Sequence, residues 1–219
     1  MKGAFFIRIL ITAGPTLEPI DPVRFISNRS TGYMGYKLAE VASKRKHSVT
    51  LISGPTRLLC PNVKKFISIE TADVLLKKVE QEIQKVDCLI MCCAVSDFRI
   101  KNGFRQKIKK AKSLSLEFVA NKDILKEISV YKKDKLYVGF SLETGNLIRN
   151  SYGKLKVKKL DLVVANQLRC SRNIFGDNKL DACFIDRDGV IEKFKQKRKT
   201  FIAQHLLDKI EKLWYLKHI

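Results

Sequence analysis

The run Ile7-Arg8-Ile9-Leu10-Ile11 is followed by Thr12-Ala13-Gly14-Pro15-Thr16, by an amphipathic stretch from Tyr33 to Lys46, and by a second run, Val49-Thr50-Leu51-Ile52. Short apolar runs separated by amphipathic stretches of helix length are the pattern of buried parallel strands joined by crossover helices. The alternation continues outward. Cys88-Leu89-Ile90-Met91-Cys92, Leu136-Tyr137-Val138-Gly139-Phe140 and Leu162-Val163-Val164-Ala165 read as further strands, and Ala72 to Lys85 and Leu147 to Lys158 as further helices. The tail differs: Ala182-Cys183-Phe184-Ile185 and Val190-Ile191-Glu192-Lys193 flank Asp188-Gly189, a hairpin signal, before a last helix from about Thr200 to Tyr215. The expected fold is α/β: a doubly wound, mostly parallel sheet with helices on both faces and a C-terminal hairpin plus helix.

Composition narrows the classes. At 219 residues with 45% hydrophobic and 9% aromatic content, the chain can bury one full core, and residues 1–219 are expected to form one domain. The longest uninterrupted apolar run, Cys88 to Val95, is far shorter than a bilayer crossing, and Met1-Lys2-Gly3-Ala4 leads into a strand rather than a cleavable signal. A protein neither membrane-bound nor secreted is expected. The cysteines, Cys60, Cys88, Cys92, Cys93, Cys170 and Cys183, show no CxxC spacing, and three fall in the apolar run. Reduced thiols in or near the core point to a cytoplasmic location.

Forty-three Lys and Arg against 22 acids give a formal net charge of +21. Such a charge attracts any polyanion and names no partner by itself. Lysines such as Lys77-Lys78, and Lys209 with Lys212, fall on solvated helix faces. Two tracts differ: Arg99 to Lys112 holds seven bases and no acid, and Arg149 to Lys159 five bases and no acid. Both suit a triphosphate. A basic nucleic-acid-binding protein is the non-enzyme alternative, but Phe98, Phe104 and Phe194 are too few aromatics among the basic tracts to support it.

In an open α/β sheet the ligand lies beyond the carboxyl ends of the strands, so the loops after the apolar runs are the candidates. The first contains Ser27-Asn28-Arg29-Ser30-Thr31-Gly32, whose end offers hydroxyls and backbone N–H groups to an anion, or serves as a helix cap. The second, Ala94-Val95-Ser96-Asp97-Phe98-Arg99, carries a carboxylate for a ribose, base or metal, or an ordinary cap. The third, Gln106-Lys107-Ile108-Lys109-Lys110, reads as a mobile flap with a lysine tip or as a solvated charge run. The fourth joins Gly139-Phe140-Ser141-Leu142-Glu143-Thr144 to a helix whose Lys154 and Lys158, four apart, share a face.

In order along the chain, Ile11-Thr12-Ala13-Gly14-Pro15-Thr16, Glu18-Pro19-Ile20-Asp21-Pro22-Val23-Arg24-Phe25-Ile26-Ser27-Asn28, Ser53-Gly54-Pro55, Ala94-Val95-Ser96-Asp97, Lys107-Ile108-Lys109-Lys110, Val138-Gly139-Phe140, Asp161-Leu162-Val163-Val164-Ala165-Asn166 and Phe175-Gly176-Asp177-Asn178 closely resemble the phosphopantothenate–cysteine ligase (phosphopantothenoylcysteine synthetase) family. That family forms the carboxyl-terminal half of the bifunctional bacterial coenzyme A enzyme. The resemblance implies a Rossmann-like domain that dimerises and joins 4'-phosphopantothenate to L-cysteine through an acyl nucleotide, with CTP as co-substrate and Mg²⁺ offsetting the triphosphate charge. It implies that Lys107 is the flap lysine of the first half-reaction, with Arg24, Asn28 and Ala94 supporting breakdown of the acyl nucleotide. The nucleotide is expected against Met91, Cys92, Cys93, Asp97, Lys107, Lys122, Asp123, Ile124, Leu125, Phe140, Lys154 and Lys158, with no metal ligand assigned to the protein. No decarboxylase half is expected before Met1, so the resemblance implies a separate flavin enzyme and no flavin on this chain.

The sequence departs from the family pattern in three places. Lys-Asn-Pro-Asp becomes Ala120-Asn121-Lys122-Asp123, Ser-Gly-Lys-Met-Gly becomes Thr31-Gly32-Tyr33-Met34-Gly35, and Phe-Ala-Ala-Glu-Thr becomes Phe140-Ser141-Leu142-Glu143-Thr144, which is expected to crowd that wall. The rival enzyme reading is an NAD(P)-dependent short-chain reductase, from the Tyr-x-x-x-Lys spacing of Tyr152 and Lys156. It lacks the glycine-rich turn its cofactor needs, since Gly14 is followed by Pro15.

Overall fold

A computed structural model of the chain describes residues 6–168, 174–189 and 191–218; Met1 to Ala4, Cys170 and Val190 lie outside them. The N-terminal half contains β1 (Arg8–Ala13), β2 (Leu17–Pro19), β3 (Phe25–Ser27), α1 (Tyr33–Lys44), β4 (Ser48–Ser53), β5 (Lys65–Ser68), α2 (Ala72–Ile83) and β6 (Cys88–Met91). After these come β7 (Phe98–Ile100), β8 (Phe118–Ala120), α3 (Ile124–Glu127), a 3-10 turn at Ile128–Tyr131, β9 (Leu136–Glu143), α4 (Leu147–Val157), β10 (Leu162–Gln167), β11 (Leu180–Asp186), β12 (Ile191–Lys197) and α5 (Lys199–Lys217).

The central sheet has eight strands in the order β12-β11-β10-β9-β6-β1-β4-β5, with the run from β10 to β5 parallel and β11 and β12 antiparallel at one edge. From β1 the chain winds outward to β4 and β5, then returns across β1 to begin again at β6. That reversal leaves a crevice at the carboxyl ends of β1 and β6, where open α/β sheets bind ligands.

Strand alternation divides the core between two faces. Ile9, Ile11 and Ala13 of β1 join Leu38 and Val41 of α1 and Ile202, Leu206 and Ile210 of α5. Leu10 points the other way and joins Leu75, Val79 and Ile83 of α2, Leu125 of α3 and Leu155 of α4. Each fully buried Leu or Ile contributes ~1.5–3 kcal/mol by leaving water. The expected doubly wound sheet is therefore present, with the C-terminal hairpin antiparallel as expected and Gly189 of its turn at φ 77°.

Differences concentrate at helix ends and short strands. The expected helix through Lys46 stops at Lys44, because Lys46 turns left-handed at φ 68°. Edge strand β5 and the small antiparallel pairs β2–β3 and β7–β8 were not among the expected elements. The two pairs and the segment between β7 and β8 form a lobe outside the main sheet, tied by the Phe104 N–H donating to the Ile20 carbonyl at 2.9 Å. Cys88 and Cys183 are buried and Cys92 and Cys93 half-buried, but Cys60 is exposed on the β4–β5 loop, against the expectation of a near-core thiol. Among the described residues no helix is long and apolar enough to cross a membrane.

Gly54, after β4, is where the loop leaving β1 makes its nearest approach. A Cβ there would lie 1.7 Å from the Pro15 carbonyl oxygen, so the loop would have to move. Gly54→Ala is expected to destabilise by ~2 kcal/mol, lowering Tm by about 4–8 °C. Gly153, inside α4, faces open space, and Gly153→Ala should stabilise by roughly 0.5–1 kcal/mol. Calorimetry of the two variants checks both signs; equal melting temperatures would contradict the close approach at Gly54.

Candidate functional site

The crevice at the strand ends holds a cavity of about 660 Å³. Its floor is set by Thr12, the fifth residue of β1. The buried Thr12 hydroxyl accepts the N–H groups of Cys92 and Cys93, each at 3.1 Å, and donates to the Met91 sulfur at 3.2 Å. Met91, Cys92 and Cys93 are thereby held as cavity wall. Burial pushes the Cys92 thiol up to about 12 and raises Cys93 further, so both stay protonated and serve as packing surface rather than nucleophiles.

Beyond that turn the loops from β1 and β6 clasp each other. The Ala94 N–H donates to the Gly14 carbonyl at 2.9 Å, and the Ala94 carbonyl accepts from the Thr16 N–H at 3.2 Å. The Asn28 side-chain amide also donates to the Ala94 carbonyl, at 3.0 Å. The structure thus brings together Asn28 and Ala94, two of the expected catalytic positions, through a direct hydrogen bond at the cavity wall. A side-chain amide has two donors, and this bond uses one.

Asp97, Lys122, Asp123, Ile124, Leu125, Phe140, Lys154 and Lys158 all line this cavity. The departing segment Ala120-Asn121-Lys122-Asp123 is anchored by Asn121, whose main-chain N–H donates to the Asp97 carbonyl at 2.8 Å and whose side chain donates to the Ser96 carbonyl at 2.9 Å. Asp123 caps α3 by accepting from the Lys126 N–H at 3.3 Å and pairs with Lys158 at 2.9 Å. Lys154 donates to the Phe140 carbonyl. Burial, aided by the charge of Lys158 and opposed by Glu143, Asp123 and Asp97, brings the Lys154 ammonium down to about 8. Ser141 and Leu142 line the wall as expected; the Ser141 hydroxyl donates to Glu143 at 2.7 Å.

The lining also includes residues that sequence reasoning did not assign to the site: Asn166, Ile174, Phe175, Leu180, Lys199 and Ile202. Lys199 is buried at the start of α5 and donates to the carbonyls of Ile174, at 2.8 Å, and Gly176. Gly176 N–H donates to the Thr31 hydroxyl at 3.2 Å, so the 174–178 loop sits against the start of α1. The Asn166 Oδ1 is buried with no hydrogen-bond partner among the described residues. Ser30 Oγ accepts from Gly32 N–H at 3.3 Å rather than from the helix, and α1 begins without a side-chain cap. Its first N–H groups thus meet no capping side chain, which favours the anion reading of Ser30-Thr31-Gly32 over the cap.

Arg24 and Lys107 lie elsewhere. They share a second, more open cavity of about 680 Å³ between the loop before β3 and the flap residues Lys109 to Leu114. The expected site residues therefore divide between two cavities, with Arg24 and Asn28 at opposite ends of β3. Among the described residues no group of three His, Cys, Asp or Glu side chains could hold a metal ion. Tyr152 and Lys156, the basis of the reductase alternative, stack on each other with the ammonium 4.5 Å from the ring centroid, and neither lines the cavity.

The coenzyme A biosynthesis bifunctional protein CoaBC of Escherichia coli K12 is 37% identical over 211 residues, which cover 93% of this chain and 51% of that protein. Its counterpart in Bacillus subtilis 168 is 38% identical over 207 residues, covering 94% and 51%. The chain spans about half the length of these curated relatives. A crystal structure of the C-terminal domain of coenzyme A biosynthesis bifunctional protein CoaBC superposes with a TM-score of 0.82 at 35% identity, covering 97% of this chain and 98% of that one. Residues 6–213 match the DNA/pantothenate metabolism flavoprotein C-terminal domain, and the chain belongs to that family.

Proposed function

We propose that this chain joins 4'-phosphopantothenate to L-cysteine, using CTP with Mg²⁺ and passing through phosphopantothenoyl-CMP. The observation that carries the reading is the Asn28–Ala94 contact at the wall of a cavity also lined by Lys122, Lys154, Lys158 and Lys199, by Asp97 and Asp123, and by apolar side chains. The relatives' name, a coenzyme A biosynthesis protein, supports the same reaction class.

The nucleotide is assigned to the side with Lys154, Lys158 and Phe140, and the phosphate of phosphopantothenate to the uncapped start of α1. In the first half-reaction the substrate carboxylate attacks the α-phosphorus of CTP and pyrophosphate leaves. In the second, the cysteine amine attacks the acyl carbon, CMP leaves, and the amine loses a proton. The second N–H of Asn28 is free to meet the carbonyl oxygen as it gains charge, which is oxyanion stabilisation by a fixed dipole. Mg²⁺ takes its ligands largely from phosphates and water, so it does not call for a protein ligand cluster; when bound it offsets the triphosphate charge. The reading assigns no flavin to this chain.

A homodimer belongs to the same proposal. Val23, Phe25, Phe98, Phe104, Leu114 and Phe118 are exposed on the lobe formed by β2–β3, β7–β8 and the flap. A concentration of large apolar side chains on one lobe suits a second copy of the chain. Light scattering at micromolar concentration should give twice the chain mass, and a monomeric mass would contradict the dimer.

Pyrophosphate release tests the reaction directly. Release should require phosphopantothenate and be fastest with CTP among the nucleoside triphosphates; equal release without phosphopantothenate would sink the reading. Asn28→Asp should leave this step working but slow the second by roughly a hundredfold, because an ionised carboxylate cannot donate. Phosphopantothenoyl-CMP should then accumulate in the quenched reaction by mass spectrometry, whereas normal product formation would remove Asn28 from the role.

Lys154 gives a pH signature. Its charge is lost as pH rises through about 8, well below an ordinary lysine. Affinity for a nucleoside triphosphate should therefore fall from about pH 7 to about pH 9, by roughly tenfold for an ammonium contributing ~1.4 kcal/mol. For stability the sign is opposite: above about 8 the unfolded chain holds the proton more often than the folded one, so this group favours folding as pH rises towards the ordinary lysine range. Calorimetric titration with Lys154→Met should give a flat affinity profile; an unchanged slope would assign the pH dependence elsewhere.

A further inference from the structure

The flap that carries Lys107 is not held by its own sequence, which between Lys101 and Lys112 forms no helix or strand. It is held at Ile108. The Ile108 N–H donates to Asp21 Oδ2 at 3.1 Å, and the Ile108 carbonyl accepts from the Arg24 guanidinium at 2.8 Å. Both main-chain groups of the residue next to Lys107 are thus taken by one acid–base pair. Arg24 is itself fixed by Asp21, with Nε at 3.0 Å and a terminal nitrogen at 2.5 Å from the same Oδ2.

Asp21 is buried, and its two oxygens divide the work. Oδ1 accepts the N–H groups of Val23 and Arg24, each at 2.8 Å, which closes the local turn. Among the described residues Oδ2 accepts from Arg24's side chain and from Ile108, the groups that concern the flap. We infer that Asp21 is a positioning residue: through Oδ2 and Arg24 it clamps Ile108 and thereby sets where the Lys107 ammonium stands when phosphate charge develops. The Asp21 carboxylate is shielded from solvent although Arg24 is partly exposed, and charge-assisted hydrogen bonds directed at both its oxygens hold it in place.

The division between the two oxygens makes the inference separable from a plain turn. In Asp21→Asn the remaining carbonyl oxygen can keep the Val23 and Arg24 N–H bonds, while the amide NH₂ faces a guanidinium and an N–H, donor against donor. Ile108→Pro removes the same contact from the flap side, by deleting the N–H on an irregular segment outside the core. Limited trypsin cleavage is read at the bonds after Arg105 and Lys112, which neither substitution alters, and pyrophosphate release is followed alongside. Both variants should be cut at these bonds about tenfold faster than the parent protein at temperatures well below their Tm, as expected when the open flap population rises without global unfolding. The kcat for pyrophosphate release should fall by roughly tenfold or more, since misplacing a catalytic group by about an ångström costs that much, while KM for phosphopantothenate stays within about twofold. Unchanged cleavage in both variants overturns the clamp. Faster cleavage with an unchanged kcat overturns the positioning role. The kinetic arm rests on the ligase reading and the cleavage arm does not: no turnover in the parent protein would count against that reading, with the clamp still decided by trypsin.

Discussion

Both walls of the main cavity depend on a short backbone exchange between two loops that leave the sheet on adjacent strands. Ala94 gives its N–H to Gly14 and takes the N–H of Thr16 on its carbonyl, so the β6 loop is paired to the β1 loop as if the two strands had been prolonged. The pairing is possible because β1 and β6 are neighbours at the switch point. It also requires Gly54 to let the Pro15 carbonyl pass at a distance no side chain would tolerate. The Thr12 hydroxyl beneath and the Thr16 hydroxyl, which accepts the Ser96 N–H at 3.0 Å, lock the same loop from inside. Asn28 is then oriented by a hydrogen bond to an acceptor that the paired loops hold in place.

The charge of the chain acquires meaning from where individual cations are placed. Lys37 and Lys44 both pair with Glu40 on the surface of α1, and Lys77 pairs with Asp73 on α2. Such exposed pairs contribute little to stability. Lys154 and Lys199 differ: each is drawn into the cavity wall and donates to main-chain carbonyls. A carbonyl holds an ammonium in place without neutralising it. Burial lowers the proton affinity of both, and an anionic ligand would offset that cost.

Much of this was legible in the sequence where one physical signal dominated. The apolar runs at Ile7–Ile11, Cys88–Cys92 and Leu162–Ala165 became central strands because continuous burial leaves them no alternative. Strand β5, Lys65–Ser68, was not legible: mostly exposed, it is held by pairing with β4 rather than by its own pattern. The three-residue strands of the outer lobe carry even less local signal. Asp97 and the shared face of Lys154 and Lys158 were legible from the loops after the strands, while Asn28 and Ala94 came through family resemblance; the structure draws all five to one cavity, whereas Lys107 and Arg24 fall in another. Lys199 was hidden in the run Lys195-Gln196-Lys197-Arg198-Lys199, which reads as solvated charge. Its helical phase held the clue. Ile202, Ala203, Leu206 and Ile210 follow at three, four, seven and eleven residues, so Lys199 shares their buried face.

The separation of Arg24 from Asn28 has a physical logic. Four residues of extended chain span ~13 Å, so β3 holds the two side chains apart while keeping them on one rigid ribbon paired to β2. The two steps of the proposed reaction make unlike demands: dispersing phosphate charge in the first, polarising a carbonyl in the second. In that proposal a lysine on a flap clamped through Asp21 and Arg24 suits the first demand, because its charge is held where phosphate charge develops. A fixed amide suits the second, because a preorganised dipole costs no reorganisation at the moment of attack. Because the flap clamp and the Asn28–Ala94 contact sit at opposite ends of one short strand, they share no hydrogen-bonding group among the described residues.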